Sequence, residues 1–382
     1  MKNMCKKLTI ILSLILLNTA AVAIEQNNRL AQQDLIYDKA IFAEEYFNIG
    51  SSFLRLKKYQ EAIENYDIAI KYDPSYASAY NSKGIALNNL EKPKEAIENF
   101  DLAIKYNPHF AEAYNNKAVS YGKLGKDKEA IVLCDLAIKY KPNYVTAYNT
   151  KGASLAILGQ YEDAIENYDI AIKYNSSYPE AYYNKGIALM NLGKIPEAIK
   201  NYTLAITYRP DYAEAYLNKG IPQIFLGQFQ EAIESFNLAI KYDPNNVNAY
   251  YNKGYVLALL DKDAEAIENC NIAIKYDKNC VEAYRVKGTI FAKLGKHQEA
   301  IKNYDIAIKS KPNFAEGYLE KGISLVKLEE YAKAKENFNL AIKYMPNLIS
   351  GGEAILKTAK KLENFALANE LEQKLQILKK YS

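Results

Sequence analysis

From residue 43 to residue 348, apolar side chains return every three or four positions in two bursts per unit. The double burst repeats every 34 residues without insertion or deletion. A return of three to four is the period of an α-helix with one buried face. Each unit is therefore predicted to be two helices, and the nine units to be an all-α repeat array. In the fifth unit the first helix runs through Ala181-Tyr182-Tyr183-Asn184-Lys185-Gly186-Ile187-Ala188-Leu189. It stops near Gly193, a favourable terminator because glycine tolerates the left-handed backbone of a helix end. The second helix runs through Glu197-Ala198-Ile199-Lys200-Asn201-Tyr202-Thr203-Leu204-Ala205-Ile206 and ends before Pro210. The proline ring disfavours helical geometry in the residue ahead of it. One such pair cannot bury its own apolar face, so neighbouring pairs must stack into a quasi-one-dimensional core.

The repeat keeps its phase in particular residues. Tyr recurs at every 34th position from Tyr46 to Tyr318, and Ala from Ala62 to Ala334. Small residues such as Gly186, Ala198 and Ala205 let the two backbones approach, and Tyr and Ile side chains fill what is left. The departures are local. Ala118 replaces the Gly in the third unit, Cys134 and Cys270 replace an aromatic, and Ser176 and Lys278 replace the Pro. In the sixth unit Pro222 lies in mid-helix, and Gln223 stands where its siblings have Leu189 or Leu257. A mid-helix Pro costs about 3 kcal/mol and frees the carbonyl four residues back, that of Asn218, so a kink or hinge is expected there.

Both ends depart from the repeat. Residues 24–42 read as a polar lead-in with a short helix, because Tyr37-Asp38-Lys39-Ala40-Ile41 echoes Tyr66-Asp67-Ile68-Ala69-Ile70. Residues 349–382 form a degenerate unit that has lost the Tyr and Gly but keeps Ala368 in phase. It reads as a capping helix pair whose last, polar-faced helix runs from about Asn364 to Lys380.

Charge changes the picture only at the amino terminus. Of the formal +4, three charges are Lys2, Lys6 and Lys7, in a segment without acids. Behind Lys6-Lys7 an apolar run extends from Leu8 to Leu17, and Ala21-Val22-Ala23 offers a cleavage site. This is the pattern of a secretory signal, expected to span residues 1–23. Its ten or so apolar residues fall short of the roughly 20 that cross a bilayer as a helix. An uncleaved anchor is the alternative. The mature chain is expected to carry no membrane span and to lie in the periplasm or outside the cell. Balanced charge elsewhere gives no electrostatic footprint for nucleic acid.

The unit resembles the tetratricopeptide repeat, whose 34-residue pattern has an aromatic, a Gly, an Ala-x-x-x-aromatic and a Pro. In the second unit these are Tyr80, Gly84, Ala96, Phe100 and Pro108. Lysines such as Lys83 and Lys117 stand where that family usually has Leu. The resemblance implies a right-handed superhelical solenoid of helix-turn-helix repeats whose first helices line a concave groove that holds a protein or peptide ligand.

In that register, the residues two places after the recurring Tyr form one column of the groove, with Asn116, Asn184, Asn218 and Asn252 among them. An amide both donates and accepts, so such a column suits the backbone of an extended peptide. It resembles the asparagine ladder in the repeats of O-linked N-acetylglucosamine transferases. Three residues further on, Ile187, Ile221 and Tyr255 belong to a largely apolar stripe, and Glu180 and Glu214 line the entering edge. An apolar floor with an acidic rim favours a ligand with apolar anchors and some Lys or Arg. The recurring lysines sit one place beyond the Asn column, where a stem can pack and an amine can reach a carboxylate such as Asp67 or Asp101.

Catalysis finds no foothold. His109 and His297 lie in different units without metal-ligand spacing, and no phosphate loop, nucleophile elbow or H-E-x-x-H motif appears. Cys134, Cys270 and Cys280 read as buried free thiols. No cofactor or metal is expected, and the chain reads as a non-enzymatic binding scaffold. The alternative function is an accessory factor of an envelope polysaccharide or glycan-handling complex, because tyrosine-rich grooves can stack on sugars.

Overall fold

The computed structural model describes residues 39–361 and 365–381. The expected leader and most of the lead-in lie outside them. Every regular element among the described residues is an α-helix. They fall into two compact units, one ending at Tyr174 and the other starting at Asn175.

The first unit holds α1 (39–55), α2 (Tyr59–Tyr72), α3 (Ala77–Asn89), α4 (Pro93–Tyr106), α5 (Ala111–Lys123), α6 (Asp127–Tyr140), α7 (Val145–Ile157) and α8 (Tyr161–Tyr174). The second holds α9 (Pro179–Asn191), α10 (Ile195–Tyr208), α11 (Ala213–Phe225), α12 (Phe229–Tyr242), α13 (Val247–Leu259) and α14 (Asp263–Tyr276). It continues with α15 (Val281–Lys293), α16 (His297–Ser310), α17 (Ala315–Lys327), α18 (Tyr331–Tyr344), α19 (Leu348–Lys361) and α20 (Phe365–Tyr381). Odd-numbered helices are the first of each pair. In each unit a first helix packs on its own second helix, on the second helix before it, and side by side on the first helices of adjacent pairs.

The core is built from one contact repeated. The second-helix alanines, Ala62 and Ala69 through Ala334 and Ala341, are fully buried. They let the first helix come so close that the aromatic between them lies against a glycine. A Cβ on Gly84 would fall 2.6 Å from the Phe100 ring, and one on Gly186 would fall 2.6 Å from Tyr202. The third pair explains its own departure. Ala118 carries the extra methyl because Cys134 replaces the aromatic, and both are buried in one cluster with Ala130. Burial pushes the Cys134 and Cys270 thiols up to about 12, leaving almost no thiolate at neutral pH.

Successive pairs are tied by charge. Lys83 reaches Asp67 at 2.6 Å, Lys117 reaches Asp101 at 2.5 Å, and Lys151 reaches Asp135 at 2.7 Å, each across 16 residues from one second helix to the next first helix. In the second unit Lys321 does the same with Asp305 at 2.7 Å. Tyrosines mark the outer turns. The recurring Tyr stacks on the last Tyr of its own pair, as in Tyr80–Tyr106 and Tyr216–Tyr242. Its hydroxyl donates to the carbonyl six residues earlier, that of Pro74 for Tyr80 and Pro210 for Tyr216. Tyr182 makes the same bond to the Ser176 carbonyl, so losing the proline ring there costs the turn no hydrogen bond.

Within each pair the tight turn needs one residue with left-handed backbone. Gly193 (φ +70°) and Gly227 (φ +71°) supply it freely, but Glu329 is held at φ +62°. A side chain there costs roughly 1 kcal/mol relative to glycine. Glu329→Gly is expected to raise stability by about that amount, read as a higher denaturation midpoint at unchanged helicity.

The sixth pair does not break. Helix α11 runs through Pro222, which is buried inside it. The neighbouring Gln223 is 5% exposed, and its Oε1 accepts a 2.8 Å hydrogen bond from Ser235 Oγ on α12, itself 4% exposed. At the position of Ser235 the other second helices carry Asn, apart from Leu133 in the third pair, and that Asn bonds back to its own helix, as Asn201 does to the Glu197 carbonyl. The unusual Gln thus has an unusual partner.

Candidate binding groove

The residues of the expected groove are placed on the first helices, and all but Glu214 are half-buried rather than fully presented. Asn116 donates through Nδ2 to Asn81 Oδ1 on the preceding first helix, at 3.0 Å. Asn218 donates to the Tyr183 hydroxyl in the same way, at 2.7 Å. Asn252 turns back to the Asn248 carbonyl of its own helix, at 2.8 Å. Asn184 is half-buried between them in sequence. The column therefore spends part of its amide capacity on locking neighbouring first helices, and each amide keeps further donor or acceptor positions.

The apolar stripe lies beside it. Ile187, Ile221 and Tyr255 are half-buried. In the first unit the structure brings stripe and column together, since Ile85 and Val119 line a cleft of about 210 Å³ with Asn116, Asn88, Asn89 and Lys123. The acidic edge is discontinuous. Glu180 pairs with Arg209 of its own repeat, and Glu112 pairs with Lys141 at 2.6 Å, while Glu214 is exposed. Lys141 and Arg209 stand at the ends of their second helices, whereas the position beside Glu214 is Asp243.

The larger concavity lies elsewhere. A cavity of about 700 Å³ is lined by α13, α15 and α17 and walled by α20. Of the expected site residues only Tyr255 borders it; Asn184, Asn218 and Asn252 do not. Here the column position is Glu320, 6% exposed, whose Oε1 takes a 2.6 Å hydrogen bond from Lys374 of α20. Sequence reading missed Ser324, Lys327, Lys374 and Gln373. The one signal was Glu320 breaking the Asn column, but its partner is 54 residues away.

Among the described residues, no group of three or more His, Cys, Asp or Glu side chains is placed to hold a metal ion. His109 is exposed against the Tyr140 ring at 4.8 Å. No described helix is long and apolar enough to cross a membrane.

A helix pair repeated at a fixed 34-residue period, with Gly against aromatic and Ala at both close approaches, defines the helical-repeat class. Family models agree on which one. A model described as TPR repeat matches residues 50–91, 152–193 and 226–261. Models described as tetratricopeptide repeat match 77–110, 111–144, 179–212, 247–280, 264–315 and 285–345. The chain belongs to the tetratricopeptide-repeat family.

No curated protein matches the sequence. Among solved structures it is similar to YrrB, titled a TPR protein with an unusual peptide-binding site, at 24% identity and TM-score 0.42, over 50% of this chain and 98% of that one. It is similar to PilF of Pseudomonas aeruginosa at 16% identity and TM-score 0.49, over 56% and 96%. Cut9–Hcn1, a hetero-tetramer of the APC/C, matches at 14% identity and TM-score 0.54, over 85% and 76%. At these identities the likeness is one of fold.

Proposed function

We propose that this chain is an exported, non-catalytic scaffold that holds a segment of another protein along its first helices. The observation that carries the reading is the cleft over α3 and α5. There an apolar floor, Ile85 and Val119, lies beside an amide, Asn116, that still has hydrogen-bonding capacity, with Lys123 at the edge. That combination grips a backbone and an apolar side chain at once. The second unit has the same residue types at the same repeat positions, in Ile187, Asn218, Ile221 and Asn252. Repeating shallow contacts suit a long ligand better than a compact one. The export signal and the cell envelope rest on residues 1–23.

A glycan partner is the second reading, supported by tyrosines exposed at the outer turns, such as Tyr208 and Tyr276. Their faces, however, stack on Tyr182 and Tyr250 at 5.5 and 5.9 Å, which leaves each ring less area for a sugar.

Photo-crosslinking from position 187 in intact cells, with mass spectrometry of the adducts, tests the proposal. One dominant protein adduct is expected, lost on Ile221→Asp. Adducts arising only from an outer-face position such as 197 would overturn it, and a purely glycan adduct would transfer the case to the second reading.

A further inference from the structure

The cavity walled by α20 has properties that a peptide groove does not require. Two of its lining atoms are buried polar groups without a hydrogen-bond partner: Ser324 Oγ, on a residue only 1% exposed, and His297 Nδ1. A buried hydroxyl or ring nitrogen left unpaired costs about 1–3 kcal/mol, so two in one cavity point to a ligand that satisfies them.

A third group beside them is a cation without its usual neutraliser. Two sibling lysines at the same repeat position show what that position ordinarily does. Lys123 pairs with Glu91 at 2.8 Å, and Lys293 pairs with Asp261 at 2.7 Å and Asp263 at 2.8 Å. These acids lie 30 and 32 residues earlier, in the turn and at the start of the next helix. Counting back from Lys327 by the same steps gives Gly295 and His297 in place of the acids. Lys327 lies close enough to His297 to hold its imidazole below the usual histidine range, adding to the larger effect of burial. Ser324 and Lys327 are three residues apart on α17 and so share a face. Ser324, Lys327 and His297 therefore gather at one end of the cavity. Glu320 is the carboxylate on that wall, and Lys374 neutralises it at 2.6 Å. Asp261 also lines the cavity, held by Lys293 at 2.7 Å, and Thr289, Gln373 and Gln376 are further polar groups on it, while Val286, Ile290, Ile323 and Ile377 give it apolar wall.

We infer that this cavity, which shares Tyr255 with the apolar stripe but none of Ile187, Asn218, Ile221 and Asn252, is a second binding site for a small amphipathic monoanion: an apolar chain ending in a carboxylate. The carboxylate accepts from Lys327, from Ser324 and from His297 through Nδ1–H, and the chain lies against the isoleucines. A ligand seated there touches Ile377 and Lys374, so its binding also holds α20 in place.

Calorimetric titration of the full chain with dodecanoate, below its micelle concentration, tests the assignment, with dodecanol and dodecyltrimethylammonium as controls. Dodecanoate is expected to bind once per chain and at least about tenfold more tightly than either control, the effect of one charge-assisted hydrogen bond. Lys327→Gln, at an exposed side chain, is expected to remove that tenfold preference without lowering the melting temperature. Ala292→Phe, which fills part of the cavity, is expected to abolish binding of all three probes. No saturable dodecanoate binding would overturn the inference, as would equal affinity for the alcohol or retention of binding by a folded Ala292→Phe chain. Loss of binding here leaves crosslinking from position 187 unchanged, so the two sites stand or fall separately.

Discussion

Placing a methyl on Gly186 is expected to destabilise the chain by about 1–3 kcal/mol, the range for overpacking a filled core. The methyl would meet Tyr202 ring carbons at 2.6, 2.8 and 3.0 Å, and real Cβ atoms do not approach that closely. The ring has little freedom to yield, because it is only 2% exposed and wedged between Ala198 and Ala205, both fully buried. Either α9 and α10 separate, which opens the alanine contacts, or the ring leaves its rotamer. The third pair shows how the clash is relieved, since Ala118 is accommodated where Cys134 replaces the ring. The decisive measurement is therefore a double-mutant cycle by urea denaturation, with Gly186→Ala, Tyr202→Cys and both together. Tyr202→Cys alone is expected to cost about 2–4 kcal/mol through the cavity it leaves. The double variant is expected to be more stable than the sum of the singles by about 1–3 kcal/mol. Strict additivity would show that the two positions do not press on each other.

The buried pair Gln223–Ser235 is expected to behave in the opposite way, with the single substitutions worse than the double. Ser235→Ala leaves the Gln223 carbonyl oxygen without its 2.8 Å donor inside a core where both side chains are almost fully covered. The cost is about 1–3 kcal/mol, the desolvation penalty of an unpaired buried group. Gln223→Leu strands the hydroxyl in turn and costs somewhat less, because leucine adds apolar burial. With both replaced, Gln223→Leu with Ser235→Ala, no polar atom is left unpaired, and stability is expected at or above that of the native chain. Such an outcome would identify Gln223 as a structural partner of Ser235. A double variant as unstable as Ser235→Ala would instead mean that Pro222, and not the polar pair, sets the energetics of α11.

The two cycles draw on different kinds of information. Gly186 and Tyr202 are within one repeat, and the pairing of Gly with an aromatic 16 positions later recurs along the sequence, with its exception at Ala118 and Cys134 legible there too. Gln223 and Ser235 each looked like an isolated departure. Nothing in a linear pattern joins them, because they meet only when α11 and α12 are laid side by side.

The same division runs through the whole chain. The all-α class, the 34-residue period, the helix pairs and the family are legible in the linear order of residues, because each depends on spacing along a helix and on residues close in the chain. It also placed the lysines beside their acids, since Lys83 and Asp67 are related by a fixed step of 16 residues. Tertiary structure alone decided how the groove residues are used. Asn116 and Asn218 hold neighbouring helices through bonds of 35 residues' separation, and Glu180 is quenched by an arginine 29 residues on. It alone also joined Glu320 to Lys374 and gathered Ser324, His297 and Lys327 at the end of a cavity. Periodicity reports which face a residue occupies; hydrogen bonds and charge depend on distance, which exists only once the pairs are stacked and the last helix has come back against them.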